Sequence, residues 1–89
     1  MAIMVTSEVS GQSPQGYDAM LAALGDVLKQ APGFIMHVSH PCETGWRIVE
    51  VWESREHAAR FFAAHVAPRL PDGIRPKLSF EALHSLVKS

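Results

Sequence analysis

"FIMHVSHPCETGWRIVEVWES", residues 34–54, decides the fold. Two runs rich in β-branched and aromatic residues, 34–40 and 46–53, flank the turn-like "PCETG", 41–45. Strand-like runs joined by about five residues that include Pro and Gly predict an antiparallel hairpin. Ser54 then stands where a helix cap is needed, and Glu56 falls in the first turn, where the helix dipole favours negative charge. Ala58, Phe61, Phe62, His65, Val66 and Leu70 mark the apolar side of that helix, and "PRLPDGIRP", 68–76, breaks it.

The flanks complete the pattern. "AIMVTSEV", 2–9, reads as a strand closed by "SGQSP". Ser13 and Pro14 form an N-cap with proline at the first helical position. Tyr17, Met20, Leu21, Leu24, Val27 and Leu28 recur at three- and four-residue steps, which predicts an amphipathic helix over 14–30. "APG" ends it, and "KLSFEALHSLV", 77–87, reads as a last strand. The order β-α-β-β-α-β is that of the ferredoxin-like α+β fold. Right-handed crossovers bring both helices to one face of an antiparallel sheet.

That arrangement leaves the other sheet face bare. Along 46–53, one set of alternate residues is Trp46, Ile48, Glu50 and Trp52, and the other is Arg47, Val49, Val51 and Glu53. Helices cover one set, while Val49 and Val51 in the other want shelter. A second copy of the sheet supplies it, so a homodimer packed sheet to sheet is expected. The alternative is a monomer with a weakly apolar wet face, which antiparallel sheets allow.

Composition bounds the rest. With 89 residues, one domain spanning 1–89 is expected, and 47% hydrophobic residues is more than so small a body easily hides. A net charge of −1 with scattered Arg and Lys gives no footprint for nucleic acid. The single cysteine, Cys42, excludes an internal disulfide and fits a reducing cytoplasm. The N-terminus lacks a signal-peptide pattern, and no apolar stretch approaches the roughly 20 residues that span a bilayer. A cytoplasmic protein with no membrane partner is expected.

Candidate chemistry gathers around Glu50. It shares a strand face with Trp52, so a carboxylate enters the space between sheet and helices. Such a group is either a general base or a structural glutamate bonded to a neighbour such as His37 or Arg47. His37 lies on the strand that pairs with Glu50's strand. His65 follows Phe61 by four residues on the same helical stripe. Either histidine, beside Glu50, would move a proton near neutral pH, or both are satisfied histidines of no catalytic role. Tyr17 brings a hydroxyl to the cavity mouth, or is a core aromatic with a wet tip. "HVSHPC" spaces His37, His40 and Cys42 as H-x-x-H-x-C, but His37 and His40 face opposite ways on a straight strand, so no metal site is expected. No glycine-rich phosphate loop is present.

"RIVEVWESREHAARFFAAHVAP", 47–68, with Glu50, Trp52 and Ser54, resembles the third strand and second helix of the antibiotic-biosynthesis monooxygenase-like family, and "PGFIMHVSH", 32–40, resembles its second strand. The resemblance implies a homodimeric α+β barrel with a small apolar pocket between sheet and helices in each subunit. Members include cofactor-independent monooxygenases of anthrones and quinols; others degrade heme, or isomerise or cyclise small molecules. Trp52 stands where a strand tryptophan helps to hold substrate, and Phe61 and Phe62 would join it as walls, with Tyr17 at the mouth. Two departures are plain. Many members carry a helix histidine where this chain has Phe61, and the heme-degrading Asn–Trp–His set has no counterpart, since the chain contains no Asn. The expectation is a cofactor-independent enzyme acting on a small hydrophobic aromatic molecule, with Glu50, His37 or His65 as base. A non-catalytic ligand-binding or pathway-accessory dimer, and an isomerase or cyclase using the same pocket, are the alternatives. A cavity of about 300 Å³ separates binding or catalysis from a merely packed interior.

Overall fold

The computed structural model describes residues 2–89. The elements are β1 (Ile3–Ser10), α1 (Pro14–Gln30), β2 (Phe34–Cys42), β3 (Gly45–Trp52), α2 (Arg55–Phe61) and β4 (Lys77–Ala82). The sheet order is β2-β3-β1-β4, with every neighbouring pair antiparallel. This is the expected ferredoxin-like fold.

Local chemistry sets the helix starts. The Ser13 hydroxyl accepts the Gly16 amide at 3.0 Å, and Pro14 occupies the first turn, where its missing N–H costs nothing. The Ser54 hydroxyl accepts the His57 amide at 3.2 Å. Its oxygen also bonds the His57 ring, which is partly buried at this cap. The hairpin is tighter than expected: Cys42 pairs with Gly45, so only Glu43 and Thr44 lie outside the strands. Gly45 permits this, because a Cβ there would collide with the Val9 carbonyl oxygen.

Two elements differ from expectation. The second helix holds α-geometry only to Phe61, then passes through a π-turn at Phe62–Val66 and a 3-10 turn at Ala67–Arg69. In the π-turn the Ala67 amide reaches back to the Phe62 carbonyl. The last strand stops at Ala82 instead of running to 87. Ala82 pairs with Ile3, the first residue of β1, and beyond it the Leu83 amide bonds the Ala2 carbonyl at 3.1 Å, where the ladder ends.

The inner face carries the core. Trp52, fully buried, packs with Val5, Leu28, Ala58 and Phe61, and Ile3, Phe34, Leu78 and Phe80 close around them. A β-bulge between Phe34 and Met36 inserts one residue into β2. Phe34 therefore pairs with Trp52 and His37 with Glu50, and both point inward although they are three residues apart. The outer face carries Met4, Thr6, Met36, Val38, Val49 and Val51, with the Arg47–Glu8 ion pair (3.0 Å) at one end. Val51 is already buried within one chain, at 5% exposure, between its register partners Met4 and Met36. Val38, at 49%, and Met36, at 39%, are the open apolar positions of that face.

Candidate active site

A cavity of about 100 Å³ lies between the inner sheet face and the two helices. Its walls are mainly hydrocarbon: Val5 and Ile48 from the sheet, Met20 and Leu24 from α1, and Phe61 and Phe62 where α2 passes into the π-turn, with Ser7 and Gln12 also at its edge. The turn's widened backbone sits where such irregularities often border functional sites. Tyr17, His37 and Glu50 also line the cavity and bring polar atoms to it.

These three are joined in one hydrogen-bonded chain. The Trp52 indole N–H donates to Glu50 Oε1 at 3.0 Å. The other carboxylate oxygen, Oε2, lies 2.6 Å from His37 Nδ1, and His37 Nε2 lies 2.6 Å from the Tyr17 hydroxyl. The polarity follows from the donor inventory. An ionised carboxylate only accepts, so Nδ1 carries the hydrogen, and in the neutral ring Nε2 is bare and accepts from Tyr17. The sense is thus Tyr17 O–H to His37, His37 N–H to Glu50, with Trp52 donating to Glu50 from the other side. A hydroxyl, an imidazole and an orienting carboxylate in this sequence are the parts of an activated acid–base group.

Each member is held by a rigid element. The register sets Val5 and His37 on either side of Glu50. Tyr17, 7% exposed, is in the first turn of α1, just past its cap, and stacks on Trp46 with ring centroids 5.0 Å apart. Trp52 meets Phe34 edge-on at 5.4 Å. Glu50 is not sealed in the core beside Trp52 as strand alternation suggests. Its side chain keeps 20% exposure and that of His37 keeps 15%, because both stand at the cavity and not beneath it. Arg47, the other neighbour considered for Glu50, faces outward to Glu8.

The structure brings together Tyr17, His37 and Glu50, with Phe61 and Phe62 as walls. Trp52 lies beneath the cavity floor and reaches the site through its N–H. His65 packs on the Phe61 ring at 5.0 Å and lines a separate groove with His57 and Arg60, away from Glu50. His40 and Cys42 turn from His37, toward the Pro41 carbonyl and Thr44. Among the described residues no three His, Cys, Asp or Glu side chains converge as metal ligands. No helix of the described residues is long and apolar enough to cross a membrane. The direct Tyr17–His37 bond was not legible in the sequence, since it needs the docking of α1 on β2.

No family model and no curated protein sequence matches the chain. Solved structures do. SnoaB, a cofactor-independent oxygenase from Streptomyces nogalater, superposes with a TM-score of 0.70 at 12% identity, over 99% of this chain and 98% of that one. The heme-degrader MhuD from Mycobacterium tuberculosis superposes at 0.63 with 18% identity, covering 97% and 99% of the two chains. The monooxygenase ActVA-Orf6 of Streptomyces coelicolor, in complex with nanaomycin D, gives 0.51 at 17% identity, covering 99% and 92%. At such identities the likeness is one of backbone architecture: from end to end, the chain has the fold of the antibiotic-biosynthesis monooxygenase-like proteins.

Proposed function

We propose that the protein is a cofactor-independent monooxygenase acting on a hydrophobic aromatic molecule of the quinol or anthrone kind. The observation that carries this is the Tyr17–His37–Glu50 chain meeting a cavity whose other walls are mainly hydrocarbon. An apolar ring enters such a space readily, and an acidic hydroxyl or enol on it meets the hydrogen-bonded chain, the titratable part of a lining whose other polar side chains are Ser7 and Gln12. The His37–Glu50 pair takes up the proton. The substrate anion gives one electron to dioxygen, the two radicals combine, and the resulting peroxide loses water to leave a ketone. The low dielectric of the site makes the fixed imidazolium an effective partner for the anion. Two subunits pack through Val38, Val49 and Met36 on the outer face, so each keeps its own helix-side cavity. The fold shared with two oxygenases supports this reading.

The cavity size favours a second reading. About 100 Å³ is well below the ~300 Å³ at which small-molecule pockets begin. A two-ring substrate needs Met20, Leu21 and Phe62 to swing outward. A ligand-binding or accessory dimer, or an isomerase or cyclase of a smaller molecule, makes less demand. Oxygen uptake against a panel of anthrones and quinols tests the first reading, with Glu50→Gln as the control variant. Loss of uptake with the dimer intact is the expected result. Full activity in Glu50→Gln removes the assignment.

A further inference from the structure

The hydrogen-bonded chain ends on the helix side at Tyr17. Both ring nitrogens of His37 are engaged, Nε2 by the Tyr17 hydroxyl and Nδ1 by Glu50, each at 2.6 Å. A ring nitrogen offers a single in-plane site, so His37 has none left for a substrate. Each oxygen of Glu50 accepts one hydrogen bond, from His37 and from Trp52, which fixes the carboxylate in place although it keeps further lone pairs. A phenol oxygen has one hydrogen and two lone pairs. Tyr17 spends its hydrogen on His37 and keeps its acceptor capacity, and it lines the cavity.

We infer that Tyr17 is the group that exchanges the proton with the substrate, and that His37 and Glu50 are positioning residues acting through it. This rests on the helix-side site proposed above and narrows its substrate to a molecule with a phenolic or enolic hydroxyl. The substrate O–H donates to the Tyr17 oxygen. As that proton transfers, the proton Tyr17 already shares with His37 moves onto Nε2. The substrate becomes an anion, Tyr17 remains a neutral phenol, His37 becomes an imidazolium, and Glu50 keeps both its charge and the Nδ1–H bond. Two protons have each moved one place, the net transfer is one proton from substrate to His37, and the total charge is unchanged. The imidazolium lies one tyrosine away from the new anion, and the Trp52 N–H keeps Glu50 from turning toward it. Reversal returns the proton to the product.

The chain contains one tyrosine, so Tyr17→Phe removes its only phenol and keeps the ring stacked on Trp46. The probe is 4-nitrophenol, a single ring whose ionisation is read by its yellow colour without any oxygen chemistry. It is titrated with protein at a pH where the free probe is mostly colourless. The wild type is expected to bind it as the yellow anion, and Tyr17→Phe to leave it colourless. Glu50→Gln, with Tyr17 present but His37 no longer backed by a carboxylate, is expected to lose the colour as well. Nitrogen-15 NMR of histidine-labelled protein is expected to find His37 Nε2 without a proton, and to find that resonance moved in Tyr17→Phe. With an oxidisable quinol, Tyr17→Phe is expected to lower oxygen uptake by ~100-fold or more, the usual span for a lost acid–base group. Undiminished colour in either variant, a colourless wild-type complex, or a proton on Nε2 overturns the inference. If the wild type takes up no oxygen yet ionises the probe, the oxygenase reading falls and the role of Tyr17 stands. If Tyr17→Phe takes up oxygen at the wild-type rate, the reverse holds.

Discussion

Replacing Trp52 by Phe tests the core and the site together. Trp52 is fully buried, and its indole N–H is one of the two donors that hold Glu50. The smaller ring keeps the edge contact with Phe34 but gives up two buried carbons and the N–H. At ~0.8 kcal/mol per buried carbon the lost transfer energy is about 1.6 kcal/mol. The lost hydrogen bond to a charged acceptor adds ~1.5 kcal/mol, at the low end of the range because Glu50 keeps 20% exposure and water can replace the donor. Together they predict a loss of about 3 kcal/mol, a large share of the stability of a domain this size. For a chain of 89 residues that lowers Tm by ~12–20 °C. The assay is urea and thermal unfolding of both proteins at one fixed concentration, since any association would add to the apparent stability. In the folded variant, His37 should also lose its fixed orientation, seen as exchange broadening of its ring resonances. A loss below ~1 kcal/mol with His37 unchanged would refute the placement of Trp52 at the junction of core and site.

Two further perturbations address assembly and the hairpin. Val38→Asp puts a charge at the most open apolar position of the outer face, opposite Val49. Sedimentation is expected to show a wild-type particle of twice the 9.8 kDa chain and a variant at the chain mass, whereas identical masses would remove the sheet-to-sheet dimer. Gly45→Ala drives a Cβ into the Val9 carbonyl oxygen at the hairpin. A loss of ~2 kcal/mol or more in unfolding free energy is expected, and a variant within ~0.5 kcal/mol of wild type would place the hairpin differently.

Much of the fold was legible because its signals are local. Ser13–Pro14 and Ser54 announce the two helices through capping chemistry that depends on a few adjacent residues. Alternation along β3 places Glu50 and Trp52 on one face whatever surrounds them. The misjudged boundaries have non-local causes. Leu83 to Val87 have an apolar, strand-like composition, but β1 begins at Ile3, and the pairing fades after the Leu83 amide bonds the Ala2 carbonyl. The helical stripe after Phe61 continues to Leu70 in sequence, while the backbone relaxes into a π-turn beside the cavity.

The site divides the same way. Residue order alone puts a carboxylate and an indole on the inner face of one strand and a hydroxyl-bearing aromatic at the start of the first helix. Both are consequences of backbone periodicity. That His37 and not His65 meets Glu50 follows from the packing of the folded chain. On a regular strand Phe34 and His37, three apart, would face opposite ways; the bulge at Phe34/Met36 turns both inward. His65 shares a helical stripe with Phe61, yet that ring stands between it and the cavity. Whether side chains from separate elements touch depends on strand register and helix docking, which are set by packing across the whole chain.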